Sequence, residues 1–153
     1  MSFYWETNLI KHLQRYGLVY LATPYTHYEK GIYYAFVDAA YIGGKMLMHG
    51  VSVFSPIAAA HPMAVYSGLD PFDTKLWLNL YEKIMEVCEA LVVADMPGWE
   101  ESEGVTFERK WFAKRKRPAY LLNVNKMTVA LLEEPEDMDN VQGTIHVEET
   151  RKK

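Results

Sequence analysis

Ala90-Leu91-Val92-Val93-Ala94-Asp95, then the loop MPGWEES (96–102), then EGVTFERKWFAKRK (103–116), is the passage that decides the fold. The apolar run ahead of Asp95 has no polar alternation, which suits a strand covered on both faces. After the loop the spacing turns helical to about Lys116, and PAYLLN (118–123) reads as a further strand. A strand, a helix and a strand in that order form a crossover unit, which joins parallel neighbours in one sheet.

Working outward, GLVYLAT (17–23) reads as a short buried strand stopped by the turn Pro24-Tyr25-Thr26-His27. Residues 30–48 carry Ile32, Phe36, Ala39, Gly43 and Met46 at helical spacing, with Gly50 as the C-cap, and VSVFS (51–55) is the second strand. Pro56 to Phe72 reads as a turn-rich connection in which AAAH forms one helical turn, while Ser55-Pro56 and Ser67-Gly68 read as ordinary turns. Residues 73–88 are helical, with Trp77, Leu80, Tyr81, Ile84 and Cys88 on one face, so ALVVAD and PAYLLN are the third and fourth strands. At the ends, residues 1–16 read as a short amphipathic helix through Phe3, Leu9, Ile10 and Leu13. MTVALL (127–132) reads as an edge strand, EEPEDMDN (133–140) as an acidic turn, GTIHV (143–147) as another strand, and EETRKK as a frayed tail.

This order implies an α/β fold: a three-layer sandwich around a flavodoxin-like, doubly wound, mainly parallel sheet. It forms one domain over 1–153, with a core at about 17–123 and a peripheral segment at 124–153. Ligands of such sheets sit outside the carboxyl ends of the strands. That rule selects three loops: Thr23 to Tyr28, Ser55 to Pro71, and Met96 to Gly104.

The net charge of -4 disfavours general attraction to nucleic acid or anionic membrane. Cys88 is the single cysteine, so neither an intrachain disulfide nor a thiolate metal cage is available. The start, MSFYWETNL, lacks the order of a signal peptide, and no apolar run reaches the ~20 residues of a membrane span. A cytoplasmic protein is the resulting expectation. His12, His27, His49, His61 and His146 show no metal-ligand spacing, and no Gly-rich phosphate loop or nucleophile elbow is present, so neither metal nor cofactor is expected. Arg109, Lys110, Lys114, Arg115, Lys116 and Arg117 crowd one helix; in an acidic chain they read as a solvated face, with nucleic-acid binding the lesser alternative.

One residue breaks the pattern. Val105, Glu108 and Phe112 lie three and four apart and share a helix face, and the two apolar members mark it as the face packed on the sheet. Glu108 therefore falls where an apolar side chain is expected, near the strand ends. A carboxylate there is neutralised, paired or functional. Dipole complementation at the helix start and an ion pair with Lys114 or Arg115 are the structural alternatives. A reciprocal cap from Ser102 would need Glu or Gln at position 105, where Val105 stands.

ALVVAD followed by GWEESEGVTFE resembles the signature of the nucleoside 2-deoxyribosyltransferase superfamily, which includes 2'-deoxynucleoside 5'-monophosphate N-glycosidases. The resemblance spans roughly residues 17–123. It implies that Gly104 and Glu108 stand at the motif's Gly and nucleophilic Glu, and that Ser102 sits where the monophosphate hydrolases contact the 5'-phosphate. LVYLATPY is similar to the first strand and its sugar- or phosphate-binding loop, which places Tyr20, Thr23 and Tyr25 at the site. VFSPI with its later His-Pro is similar to the second loop, which places His61 near it. Asp95 and Trp99 fall in the third loop, where Trp99, like Tyr25, covers the sugar or base or else anchors the loop. The pattern departs on the third helix. Relatives often carry an Asp there that handles the base or acts as acid, and after Trp77-Leu78 the equivalent position holds Tyr81, with Glu82 beside it. The acid role then moves to Glu82, Asp73 or Asp95, or the substrate needs less leaving-group protonation.

The implied activity is cleavage or transfer at the N-glycosidic bond of a nucleoside or its 5'-monophosphate. A non-catalytic nucleotide-binding module on the same fold is the alternative. Relatives build their sites at subunit contacts, so a homo-oligomer is implied as well.

Overall fold

A computed structural model describes residues 7–133. The positions of GTIHV, of His146, of the tail and of Phe3 lie outside the described residues, as does most of EEPEDMDN. The chain runs β1 (Thr7–Leu9), a 3-10 helix (Ile10–Arg15), β2 (Val19–Ala22), α1 (Ile32–Met48), β3 (Val53–Phe54), α2 (Pro56–Ser67), α3 (Thr74–Val87), β4 (Ala90–Ala94), α4 (Glu103–Lys114), β5 (Ala119–Asn123) and β6 (Thr128–Leu131).

The six strands form one sheet in the order β1-β6-β5-β4-β2-β3. β3, β2, β4 and β5 are mutually parallel, with Val19 opposite Val53 on one side and Ala90 on the other, and Leu91 opposite Ala119. β6 runs antiparallel to both β5 and β1. This is the expected doubly wound α/β sandwich, with two corrections at its margin. β6 is an interior strand, and the segment before Gly17 supplies the edge strand β1 and a 3-10 turn instead of an amphipathic helix. Ile10 and Leu13 are nonetheless buried, as their apolarity implied.

Alternation along the strands sends side chains to opposite layers. Val19, Leu21, Val92 and Leu122 pack with Ala35, Ile42 and Met46 of α1 and with Ile10 and Leu13. Tyr20, Ala22, Leu91 and Val93 pack with Met85 of α3 and with Val105 and Phe112 of α4. β4 is buried along its whole length, as its apolar run demanded.

The largest departure is α2. A twelve-residue helix occupies most of the segment read as a turn-rich connection. Ser55 is its N-cap, accepting a hydrogen bond from the Ala58 amide (3.2 Å), and Pro56 takes the first helical position, where a missing N–H costs nothing. Gly68 ends it at φ 72°, a left-handed conformation that glycine adopts freely. The pairs read as ordinary turns are thus the two ends of a helix.

The basic run of α4 is only partly a solvated face. The Arg117 guanidinium donates to the carbonyls of Met85, Glu86 and Cys88 and so closes the C-terminus of α3. Arg115 lies over the Trp111 ring, 3.5 Å from its centroid.

Candidate active site

In chain order the parallel strands step outward from β2 to β3, then cross back to β4 on the other side of β2. The order therefore reverses between β2 and β4, and a crevice opens at their carboxyl ends. A cavity of about 640 Å³ lies there, within the range of small-molecule sites. Its walls are the loop after β2, the inner faces of α2 and α3, and the first two turns of α4.

α4 carries the decisive group. Ser102 caps it through a hydrogen bond from the Val105 amide (3.3 Å), which fixes the rotation of the first turns. Val105 and Phe112 are fully buried, and Glu108, on the same face, is 7% exposed and lines the cavity. The inward carboxylate inferred from spacing is therefore real. Its partner is Tyr20, whose hydroxyl donates to Glu108 Oε2 at 2.5 Å. Burial pushes the Glu108 carboxyl up to about 8, against the opposing pull of the Tyr20 hydrogen bond. No ion pair to Lys114 or Arg115 forms; the salt bridge of Arg115 goes to Glu86. Tyr20 is itself fully buried and does not reach the cavity wall, so it positions the carboxylate from beneath. Its own hydroxyl is held well above the ordinary tyrosine range by burial and by Glu108.

Thr23, Tyr25, His61, Ser102 and Gly104 all line the same cavity. Thr23 Oγ1 is buried without a hydrogen-bond partner among the described residues, an arrangement that a bound ligand would complete. The Tyr25 hydroxyl and His61 Nδ1 are 2.7 Å apart, and the His61 ring stacks on Phe36 with centroids 4.8 Å apart. Burial lowers the His61 pKa and so disfavours the charged imidazole, and the tautomer of the ring sets which of the two groups donates. Gly104 has no left-handed φ, and a Cβ placed there would meet only Ser102 Oγ, at 3.9 Å. What glycine contributes at this position is space beside the helix start.

Four other expected residues are not brought to this cavity. Glu82 points outward on α3 because its neighbour Tyr81 takes the inward direction, and successive helical residues are rotated by about 100°. Asp73 is spent as the N-cap of α3, accepting from the Leu76 amide at 3.2 Å. Asp95 follows β4 on the exposed surface and lines two neighbouring recesses instead. Trp99 packs with the apolar layer beneath α4, under the Arg109 guanidinium at 5.5 Å, and so anchors its loop.

Conversely, Tyr81, read from its stripe as a core residue, lines the cavity, stacked on Trp77. Its hydroxyl is raised by burial and by the Glu108 charge, which places it within electrostatic reach of that carboxylate. Phe72, Phe107, Glu101 and Glu103 also line the cavity. Two sequence signals pointed at members of this group: Tyr81 stands at the position of the absent helix-three carboxylate, and Glu101 and Glu103 fall in the third ligand loop, Met96 to Gly104.

Among the described residues no helix is long and apolar enough to cross a membrane, and no group of three or more His, Cys, Asp or Glu side chains is gathered as a metal site would need. No curated protein matches the chain. The family model described as a domain of unknown function, DUF1937, matches residues 17–124, from the start of β2 to the end of β5 with every cavity-lining element included, and the chain belongs to that family.

Proposed function

We propose that the chain cleaves the N-glycosidic bond of a nucleoside or nucleoside 5'-monophosphate, with Glu108 as nucleophile. The observation that carries this reading is a buried carboxylate, aimed into a cavity at the switch point of the sheet and held by a single tyrosine hydroxyl. Breaking the bond between C1' and the base builds positive charge on the sugar ring. A carboxylate beneath C1' stabilises that charge and traps it as a glycosyl ester while the base leaves with the bonding electron pair and takes up a proton. Water then cleaves the ester in hydrolysis; a second base does so in transfer. The reaction needs no cofactor.

The apolar surroundings that raise the carboxyl also strengthen its attraction to an emerging cation. Tyr20, by hydrogen-bonding the charged form, keeps one oxygen oriented. Aromatic walls from Phe72, Trp77, Tyr81 and Phe107 suit a planar base. The resemblance in the motif around Gly104 and Glu108 adds a homo-oligomer to the reading, and the cytoplasmic setting expected from the sequence belongs to the same reading. Exposed Tyr33, Tyr34 and Tyr66 on α1 and α2 offer apolar surface for such a contact.

A second reading rests on the same pKa. With the Glu108 carboxyl raised to about 8, the group is mostly protonated near neutrality, which suits a hydrogen-bond donor in a non-catalytic nucleotide-binding module.

Incubation with a panel of deoxynucleosides and deoxynucleoside monophosphates separates the two. An enzyme releases free base, kcat/KM rises with pH through about 8, and Glu108→Ala loses several orders of magnitude in rate. An Ala variant that keeps most of its rate, or binding without release of base, overturns the nucleophile assignment.

A further inference from the structure

The polar lining of the cavity is unevenly charged. At the start of α4, where the 5' end of a nucleoside would meet the helix, Ser102 stands between Glu101 and Glu103, and all three line the cavity. Among the described residues the lining includes three carboxylate side chains, counting Glu108, and neither lysine nor arginine. Its two imidazoles offer little compensation. Burial disfavours a charge on His61, whose Nδ1 is already bonded to Tyr25, and His27 sits on the exposed turn after β2. The nearest guanidinium on α4, Arg109, is turned to the other side, over Trp99 and towards the Glu133 carbonyl.

A helix start attracts anions through its free amides and its dipole. Here the dipole and one of those amides are already engaged. The Ser102 hydroxyl accepts from the Val105 amide, and Glu103 occupies the first turn as the acidic complement to the dipole. A phosphate dianion in this place would face two carboxylates with no lysine or arginine among the described lining residues to pair with. A sugar hydroxyl instead finds acceptors in them and, in the buried, unpartnered Thr23 Oγ1, a group able to donate or accept.

We propose that the cavity takes an uncharged nucleoside and discriminates against its 5'-monophosphate, with Glu101 and Glu103 as the residues that make the distinction. This rests on the N-glycosidic reading and narrows it: the Ser102 end receives a 5'-hydroxyl. The chemistry at Glu108 points the same way. A phosphate in the same cavity would raise the nucleophile's pKa further above about 8 and leave still less of it ionised at neutral pH.

The test compares 2'-deoxyadenosine, 2'-deoxyguanosine, 2'-deoxycytidine and thymidine with their 5'-monophosphates, in kcat/KM for base release by the full chain. The wild type is expected to favour the nucleoside by roughly tenfold or more. Glu101→Gln with Glu103→Gln should raise the monophosphate value selectively, and added salt should narrow the wild-type gap. A wild type that prefers the monophosphates, or a double variant that moves both classes equally, overturns the proposal. Calorimetric binding of thymidine and its 5'-monophosphate to Glu108→Gln gives a readout independent of turnover. If no base is released but the nucleoside binds more tightly, the nucleophile assignment fails and the charge selectivity stands. Equal or tighter binding of the monophosphate removes the selectivity whatever the enzyme does.

Discussion

Glu108 is the residue on which both chemistry and stability turn. Burial of a carboxyl whose folded pKa is about 8, against an ordinary value of 4.5, means that the folded chain holds a proton the unfolded chain has released between those two values. Stability from this group is therefore complete below about 4.5, declines as pH rises, and is lost once pH passes about 8. Glu108→Gln removes the titration and leaves an amide oxygen for the Tyr20 hydroxyl. The variant is expected to gain on wild type by about 3 kcal/mol between acid and neutral pH, read from urea unfolding midpoints across that range. Tyr20→Phe, which deletes the hydrogen bond favouring the charged form, should extend the decline to higher pH. A Gln variant that parallels wild type at every pH would show that the carboxyl is not buried in solution. The inward direction of this side chain was legible because helical spacing put it between Val105 and Phe112. Its partner was not, because a tyrosine in a buried strand looks the same whether its hydroxyl is bonded to a carboxylate or to anything else.

At the scale of elements, long periodic segments and unbroken apolar strands were readable, whereas α2 was not. Its sequence, PIAAAHPMAVYS, has prolines at its first and seventh positions and no clear apolar stripe, so the periodic signal that marked α1 and α3 was missing. Only its ends carried information, and a Ser-Pro or Ser-Gly pair marks a helix boundary and a turn alike. The consequence reaches the site, since α2 presents Ala60, His61 and Ala64 to the cavity and packs through Trp77 on α3. Removing the cap by Ser55→Ala should lower stability by about 1 kcal/mol. A loss confined to the cap would leave the Tyr25–His61 contact intact, whereas fraying of the first turn would loosen it. Thermal melting measures the first, and the nitrogen chemical shifts of His61 report the second. An unchanged melting temperature would mean that the Ser55 hydroxyl is not bonded to the helix. Tyr81 belongs to the same lesson. A residue on the apolar stripe of α3 turned out to line the cavity, because periodicity records which face points inward and not whether that face meets protein or a cavity.

For the whole molecule, the sheet's parallel centre and its antiparallel margin have different standing. The family match spans β2 to β5 and every wall of the cavity, but leaves out β1, the 3-10 helix and β6. That margin is not ornamental. Ile10, Leu13, Met127 and Val129 are at most 6% exposed and belong to the same apolar layer as α1 and the strands. β6 also pairs with β5 along its length, from Tyr120 opposite Leu131 to Asn123 opposite Thr128. Burying four such side chains contributes roughly 6–12 kcal/mol, the size of the entire net stability of a domain, about 5–15 kcal/mol. A fragment of residues 17–124 keeps the whole candidate site yet exposes the β5 edge and one face of its core. It is expected to lose cooperative unfolding and to aggregate through that unpaired edge. Circular dichroism during a urea titration, alongside the full chain, is the measurement. A fragment that unfolds in one sharp transition at the full-chain midpoint would show that the matched region folds alone and that the margin is an accessory to it.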